Sequence, residues 1–143
     1  MGKLKAPKDT KPKNSAEIMM ESLKQGGMPQ DQIDKAIIAL HQQIQNNTAK
    51  VVLIGQTAFV VNPKPDMSAQ FTVFSIEPNE IPARIKALSN SIRQMGFRRM
   101  FTLSITPNSK QIAEQSGLPF TTTQTTMMKG KEMVPAYRYE VTL

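Results

Sequence analysis

The chain has no cysteine, no tryptophan and a single histidine in 143 residues. Without cysteine there is no disulfide framework and no thiolate metal site, and the absence fits a reducing compartment. The longest apolar run is Val51-Val52-Leu53-Ile54, far short of a membrane span. No charged segment, apolar core and cleavage site follow one another at the N-terminus, so no secretory signal peptide is expected. No HExxH, Walker A or GxSxG pattern occurs, and no spacing singles out a pair of carboxylates for acid–base work. Hydrophobic content is 39%, which is lean, and the length gives room for one core rather than two.

Positive charge is present and unevenly placed. Residues 1–13 carry Lys3, Lys5, Lys8, Lys11 and Lys13 against Asp9 alone, a net +4 of the chain's +7. This segment has almost nothing to bury and reads as a flexible basic arm, suited to an acidic partner surface or nucleic acid. Residues 14–143 then form one domain.

Asn14-Ser15-Ala16-Glu17 has the form of a capping box and opens a short helix that Gly26-Gly27 stops. A second helix follows Pro29, with Ile33, Ile37, Leu40 and Ile44 on one face and His41 at its boundary. Lys50 to Ile54 and Thr57 to Val61 read as a hairpin about Gly55-Gln56. Ala69 to Ile76 is apolar on both sides and is expected to be a central strand. Ile81, Ile85, Leu88, Ile92 and Met95 predict the strongest helix, closed by Gly96. A strand from Met100 to Thr106, a helix from Ser109 to Ser116, and a final threonine-rich hairpin turning at Lys129-Gly130 complete the order. These elements predict an α/β domain with a mixed sheet.

Over roughly residues 15–143 this layout resembles the GNAT (GCN5-related) N-acetyltransferases. The resemblance is carried by Asn108 after a strand, a two-turn helix, Phe120 twelve residues later and the closing hairpin. It implies a mostly antiparallel mixed sheet flanked by helices, with the basic arm in place of the family's first strand.

The catalytic features implied by the resemblance fit poorly. The family's turn after the central strand is glycine-rich and cradles the diphosphate of coenzyme A. Here it is Glu77-Pro78-Asn79-Glu80-Ile81-Pro82, with two prolines lacking N–H groups and two carboxylates. At ~4 Å each carboxylate would cost a bound anion on the order of a few kcal/mol. The family's general-acid tyrosine falls on Gln115, which cannot donate a proton as a phenol does. Glu77 stands where some relatives keep a base, and reads here as a solvated loop residue.

The expectation from the sequence is therefore a non-catalytic GNAT-like interaction or assembly module, similar to small virion-associated proteins of tailed bacteriophages. It would be located in the virion or host cytoplasm, with no catalytic, cofactor-binding or metal residues and no cofactor. Its partners would be proteins of an assembly and, through the arm, nucleic acid. Arg93, Arg98 and Arg99 form a second candidate basic patch, although cations there also suit a helix C-terminus. The alternatives are an acyl-CoA-dependent N-acyltransferase with an atypical cofactor loop, and a nucleic-acid-binding accessory protein.

Overall fold

A computed structural model provides the structure and describes residues 14–106 and 108–143. Two helices, α1 (Ser15–Gln25) and α2 (Gln30–Gln45), precede strands β1 (Lys50–Ile54), β2 (Thr57–Pro63) and β3 (Ser68–Ser75). A 3-10 turn (Pro78–Glu80) leads into α3 (Ile81–Gln94), followed by β4 (Arg99–Ser104), α4 (Asn108–Gln115), β5 (Thr121–Lys129) and β6 (Glu132–Thr142).

The local signals act as the sequence suggests. Asn14 Oδ1 accepts from the Glu17 N–H at 2.9 Å, and Glu17 Oε1 accepts from the Asn14 N–H at 3.0 Å, a complete capping box. Gly55, at φ +61, makes the β1–β2 turn. The last hairpin turns one residue later than expected, at Gly130-Lys131, with Lys129 opposite Glu132. β4 ends at Ser104 rather than Thr106, because the Ser104 hydroxyl accepts from the Thr106 N–H and turns the chain toward α4.

The six strands lie in the order β1-β2-β3-β4-β6-β5. All neighbours are antiparallel except β3 and β4. Alternation on β2 and β3 divides the interior. Phe59, Val61 and Phe71 face α3, where Ile85, Leu88 and Ile92 are buried against them. Ala58, Val60 and Phe74 face the opposite way, toward Ile18 and Met19 of α1 and Ile37 and Leu40 of α2. β3 is thus covered on both faces, as its two-sided apolar pattern requires. Ile44 breaks the expected stripe on α2: it is 39% exposed. His41 is an exposed residue of α2.

Among the described residues no helix is long and apolar enough to cross a membrane.

Candidate active site

β3 and β4 are parallel neighbours for only three residue pairs, Ser68–Arg99, Ala69–Met100 and Gln70–Phe101. Beyond Gln70 they part. β3 continues to Ser75 paired only with β2, and β4 to Ser104 paired only with β6. Each strand therefore turns an unpaired edge of main-chain groups toward the gap. A cavity of about 420 Å³ fills it.

The cavity reaches through the sheet. Ile81 and Ile85 of α3 and Ile112 of α4 line it on one side, and Ser22 of α1 lines it on the other. Its walls include Thr72, Val73 and Ser75 of β3, Thr102 and Ser104 of β4, and Phe120, Met127 and Tyr139. No histidine and no carboxylate is among the lining residues. Tyr139 is the one phenol among the lining residues. It is 3% exposed. Burial, with a smaller contribution from Tyr137, raises its pKa above the usual 10.0 and keeps it a neutral phenol.

Glu77 is not a solvated loop residue. Its Oε2 accepts from the Gln56 N–H at 2.9 Å, from the Thr57 hydroxyl at 2.9 Å and from Arg84 Nε at 2.8 Å. Its Oε1 accepts from Arg84 Nη2 at 3.2 Å. Hydrogen bonding from Arg84 is the largest influence on its acidity and outweighs desolvation, so the pKa lies below the ordinary 4.5. A carboxylate this well satisfied is a poor base. It is also neutralised by Arg84, so it repels no anion in the way expected from the sequence, and Glu80 alone remains as an unpaired acid of the turn.

The turn still lacks a glycine cradle. Glu80 N–H donates to the Glu77 carbonyl at 2.8 Å and Ile81 N–H donates to the Pro78 carbonyl, while Pro78 and Pro82 have no N–H to offer. Beside it lies a second pocket of about 360 Å³, between Pro78, Asn79 and Pro82 on one wall and Asn108, Gln111 and Gln115 on the other. Ile112 lines both this pocket and the cleft, so the two are neighbours. Four side-chain carboxamides supply here the donors that the turn's backbone does not. Gln115 faces this pocket rather than the cleft.

The candidate basic patch does not converge. Arg93 is bonded to Asn90 and, with Lys86, lines a third pocket along α3. Arg98 is exposed in the link to β4. Arg99 donates to the Asp66 carbonyl at 3.0 Å and lies 3.3 Å from its carboxylate. Lys3, Lys5, Lys8, Lys11 and Lys13 lie outside the described residues. No cluster of three or more potential metal-ligating His, Cys, Asp or Glu side chains occurs among the described residues.

No family sequence model and no curated protein sequence matches the chain. Solved structures do. A Vibrio cholerae protein described as a ribosomal-protein-serine acetyltransferase matches with a TM-score of 0.69 at 11% identity, over 90% of this chain and 88% of that one. The microcin C7 self-immunity acetyltransferase MccE, in complex with acetyl-CoA and AMP, matches with a TM-score of 0.63 at 15% identity, over 90% and 87%. A GNAT-superfamily phosphinothricin acetyltransferase from Sinorhizobium meliloti, in complex with acetyl-CoA, matches at 0.54 and 14% identity, over 76% and 69%. The chain has the GNAT acetyltransferase fold.

These similarities overturn the expectation of a non-catalytic assembly or virion protein: the three matching proteins named are acetyltransferases, and two of them hold acetyl-CoA. The physical reason is in the turn and the cleft. The turn's composition suggests a repelled diphosphate, but Arg84 neutralises Glu77, carboxamides line the adjacent pocket, and the gap between β3 and β4 remains open.

Proposed function

We propose that the protein is an acyl-CoA-dependent N-acyltransferase. The observation that carries this reading is the parting of β3 and β4 into a cleft lined from both sides of the sheet. Two substrates can enter from opposite faces and meet at the gap. An extended arm bearing amides, such as the pantetheine of coenzyme A, can add to the free edge of β3 as a further strand would. The carboxamides of Asn79, Asn108, Gln111 and Gln115 then face the diphosphate next to Ile112. Neutral donors replace the backbone cradle, so the fit is for an anion held by hydrogen bonds more than by charge.

In the cleft, Tyr139 is the group suited to give a proton. An acceptor amine attacks the thioester carbonyl, the N–C bond forms and the C–S bond breaks. Tyr139 protonates the departing thiolate, and the proton lost by the attacking nitrogen is relayed by water to the tyrosinate and restores the phenol. No lining carboxylate or histidine takes a proton from the acceptor, so the amine reacts in its neutral form. Tyr139 takes the part that a tyrosine at position 115 would have, from β6 instead of α4.

The test is release of free coenzyme A from acetyl-CoA in the presence of a panel of small amines, amino acids and peptides. Amine-dependent release that Tyr139→Phe lowers is the expected result. Absence of acetyl-CoA binding by the intact chain would overturn the reading.

A further inference from the structure

A further cavity, of about 320 Å³, lies on the face of the sheet that α1 and α2 cover. Met19 and Leu23 of α1, Ile37 and Leu40 of α2, and Val60 and Phe74 of the sheet make it an apolar groove. It adjoins the cleft. Thr72 lines both, and on α1 Ser22 lines the cleft while the next residue, Leu23, lines the groove. The carboxamide pocket assigned to the diphosphate lies instead against α3 and α4, so the α1 and α2 face is left to the acceptor.

The groove and its surroundings offer nothing to a second cation. Among the described residues no charged side chain lines the groove or the cleft. The groove's two carboxamides are engaged with each other: Asn62 Nδ2 donates to Gln43 Oε1 at 3.1 Å, and also to the Thr48 carbonyl at 2.9 Å. A shallow hollow meets the cleft at Gln70 and is lined by Lys64, Asp66 and Arg138. Asp66, its one carboxylate, lies 3.3 Å from Arg99 Nη2 and accepts from the Ser68 hydroxyl. A second ammonium on the acceptor would meet apolar walls on one side, and two cations and an occupied carboxylate on the other.

We propose that the acceptor is a monoamine with one uncharged apolar group, of the size of a hexyl chain or a phenethyl group, which lies in the groove while the nitrogen reaches the gap between β3 and β4. This rests on the acyltransferase reading and narrows its substrate class. An apolar cavity of roughly 150 Å³ is enough to admit benzene, so the groove has room for such a group. Each methylene taken from water into it is worth about fourfold in kcat/KM. A charge carried to the same depth is penalised, since no counter-ion lines the walls.

Acetyl transfer to ethylamine, butylamine and hexylamine, compared at equal concentrations of the neutral amine, should rise in kcat/KM by about fourfold per methylene until the groove is full. 1,4-Diaminobutane and spermidine should be poorer than butylamine by about thirtyfold or more. Ala36→Phe, which fills the groove from α2, should lower the hexylamine-to-ethylamine ratio about tenfold. Thr72→Asp, which puts a carboxylate on the shared wall, should raise the diaminobutane-to-butylamine ratio by about the same factor. Methionine methyl resonances read binding apart from turnover. Hexylamine should shift Met19, which lines the groove and is 4% exposed, in a saturable way, and 1,4-diaminobutane should not. A kcat/KM that stays flat along the series, a preference for diaminobutane or spermidine, or a Met19 signal that hexylamine leaves unmoved would each overturn the proposal. If Ala36→Phe does not fold, the wild-type series and the Met19 shift decide. If acetyl-CoA does not bind, the acyltransferase reading falls, and the Met19 shift still shows whether the groove takes an apolar amine.

Discussion

Glu77 and Arg84 form a two-pronged ion pair across the entrance to α3, with Oε2 2.8 Å from Nε and Oε1 3.2 Å from Nη2. The same carboxylate holds the Gln56 N–H and the Thr57 hydroxyl, so one side chain ties the β1–β2 turn to the β3–α3 turn. This knot sets the position of the turn beside the cleft. Breaking it by Glu77→Ala or Arg84→Ala should lower the unfolding free energy, because each truncation leaves polar partners without their bonds. Chemical denaturation of the purified variants measures this.

Gly55 is required by the same knot. A Cβ there would lie 2.6 Å from Arg84 Nη2, and its φ of +61 disfavours any L side chain. Gly55→Ala should therefore destabilise the chain and loosen the ion pair. In the Arg84→Ala background the steric part of the penalty should fall, leaving the backbone part, which a double-mutant cycle resolves.

The acidity of Glu77 predicts a pH dependence. Its pKa is lower folded than the ordinary 4.5, so its stabilisation is complete above about that pH and is lost as pH falls through the folded value. Thermal unfolding followed from pH 7 to pH 3 should show a decline below about pH 4.5 that Glu77→Gln makes shallower.

Much of this fold is legible in the sequence. The capping box at Asn14, the two-sided apolar pattern of β3 and the stripe on α3 each follow from local periodicity and specify their own surroundings. The site is less legible, because its chemistry depends on contacts distant in sequence. Nothing near Glu77 indicates that Thr57 and Gln56, about 20 residues earlier, will occupy its oxygens. The carboxamide pocket joins Asn79 to Gln111 and Gln115 across β4, and Tyr139 reads as an ordinary inward residue of a closing strand. Its place beside Thr102, at the point where β4 leaves β3, was the signal available once the pairing is known.

Tyr139→Phe removes the cleft's phenol and little else. Acetyl-CoA affinity should stay within about twofold, while kcat falls by about 10²–10⁴, the usual contribution of a positioned acid. Because the pKa of Tyr139 is raised, the wild-type rate should climb with pH as the acceptor amine loses its proton, without a fall near pH 9. A pH–rate profile separates this proton-donor role from a structural one.

The carboxamide pocket predicts a discrimination. Gln111→Ala/Gln115→Ala should weaken acetyl-CoA about tenfold or more while leaving S-acetylpantetheine, which lacks the diphosphate, unchanged. Hydrogen bonds to charged groups are typically worth about 1.5–3 kcal/mol, and exposure to water reduces this toward the roughly 1.4 kcal/mol of a tenfold change. Equal weakening of both ligands would place the effect in the cleft instead.

In the proposed function the gap between β3 and β4 receives an acyl-CoA. Calorimetric titration of acetyl-CoA into the intact chain, beside Ser104→Trp, which fills the gap at the end of β4, tests it most directly. Saturable one-to-one binding with a dissociation constant in the micromolar range, lost in Ser104→Trp while the variant stays folded, is the predicted result. No binding by the wild type, or equal binding by both, would contradict it.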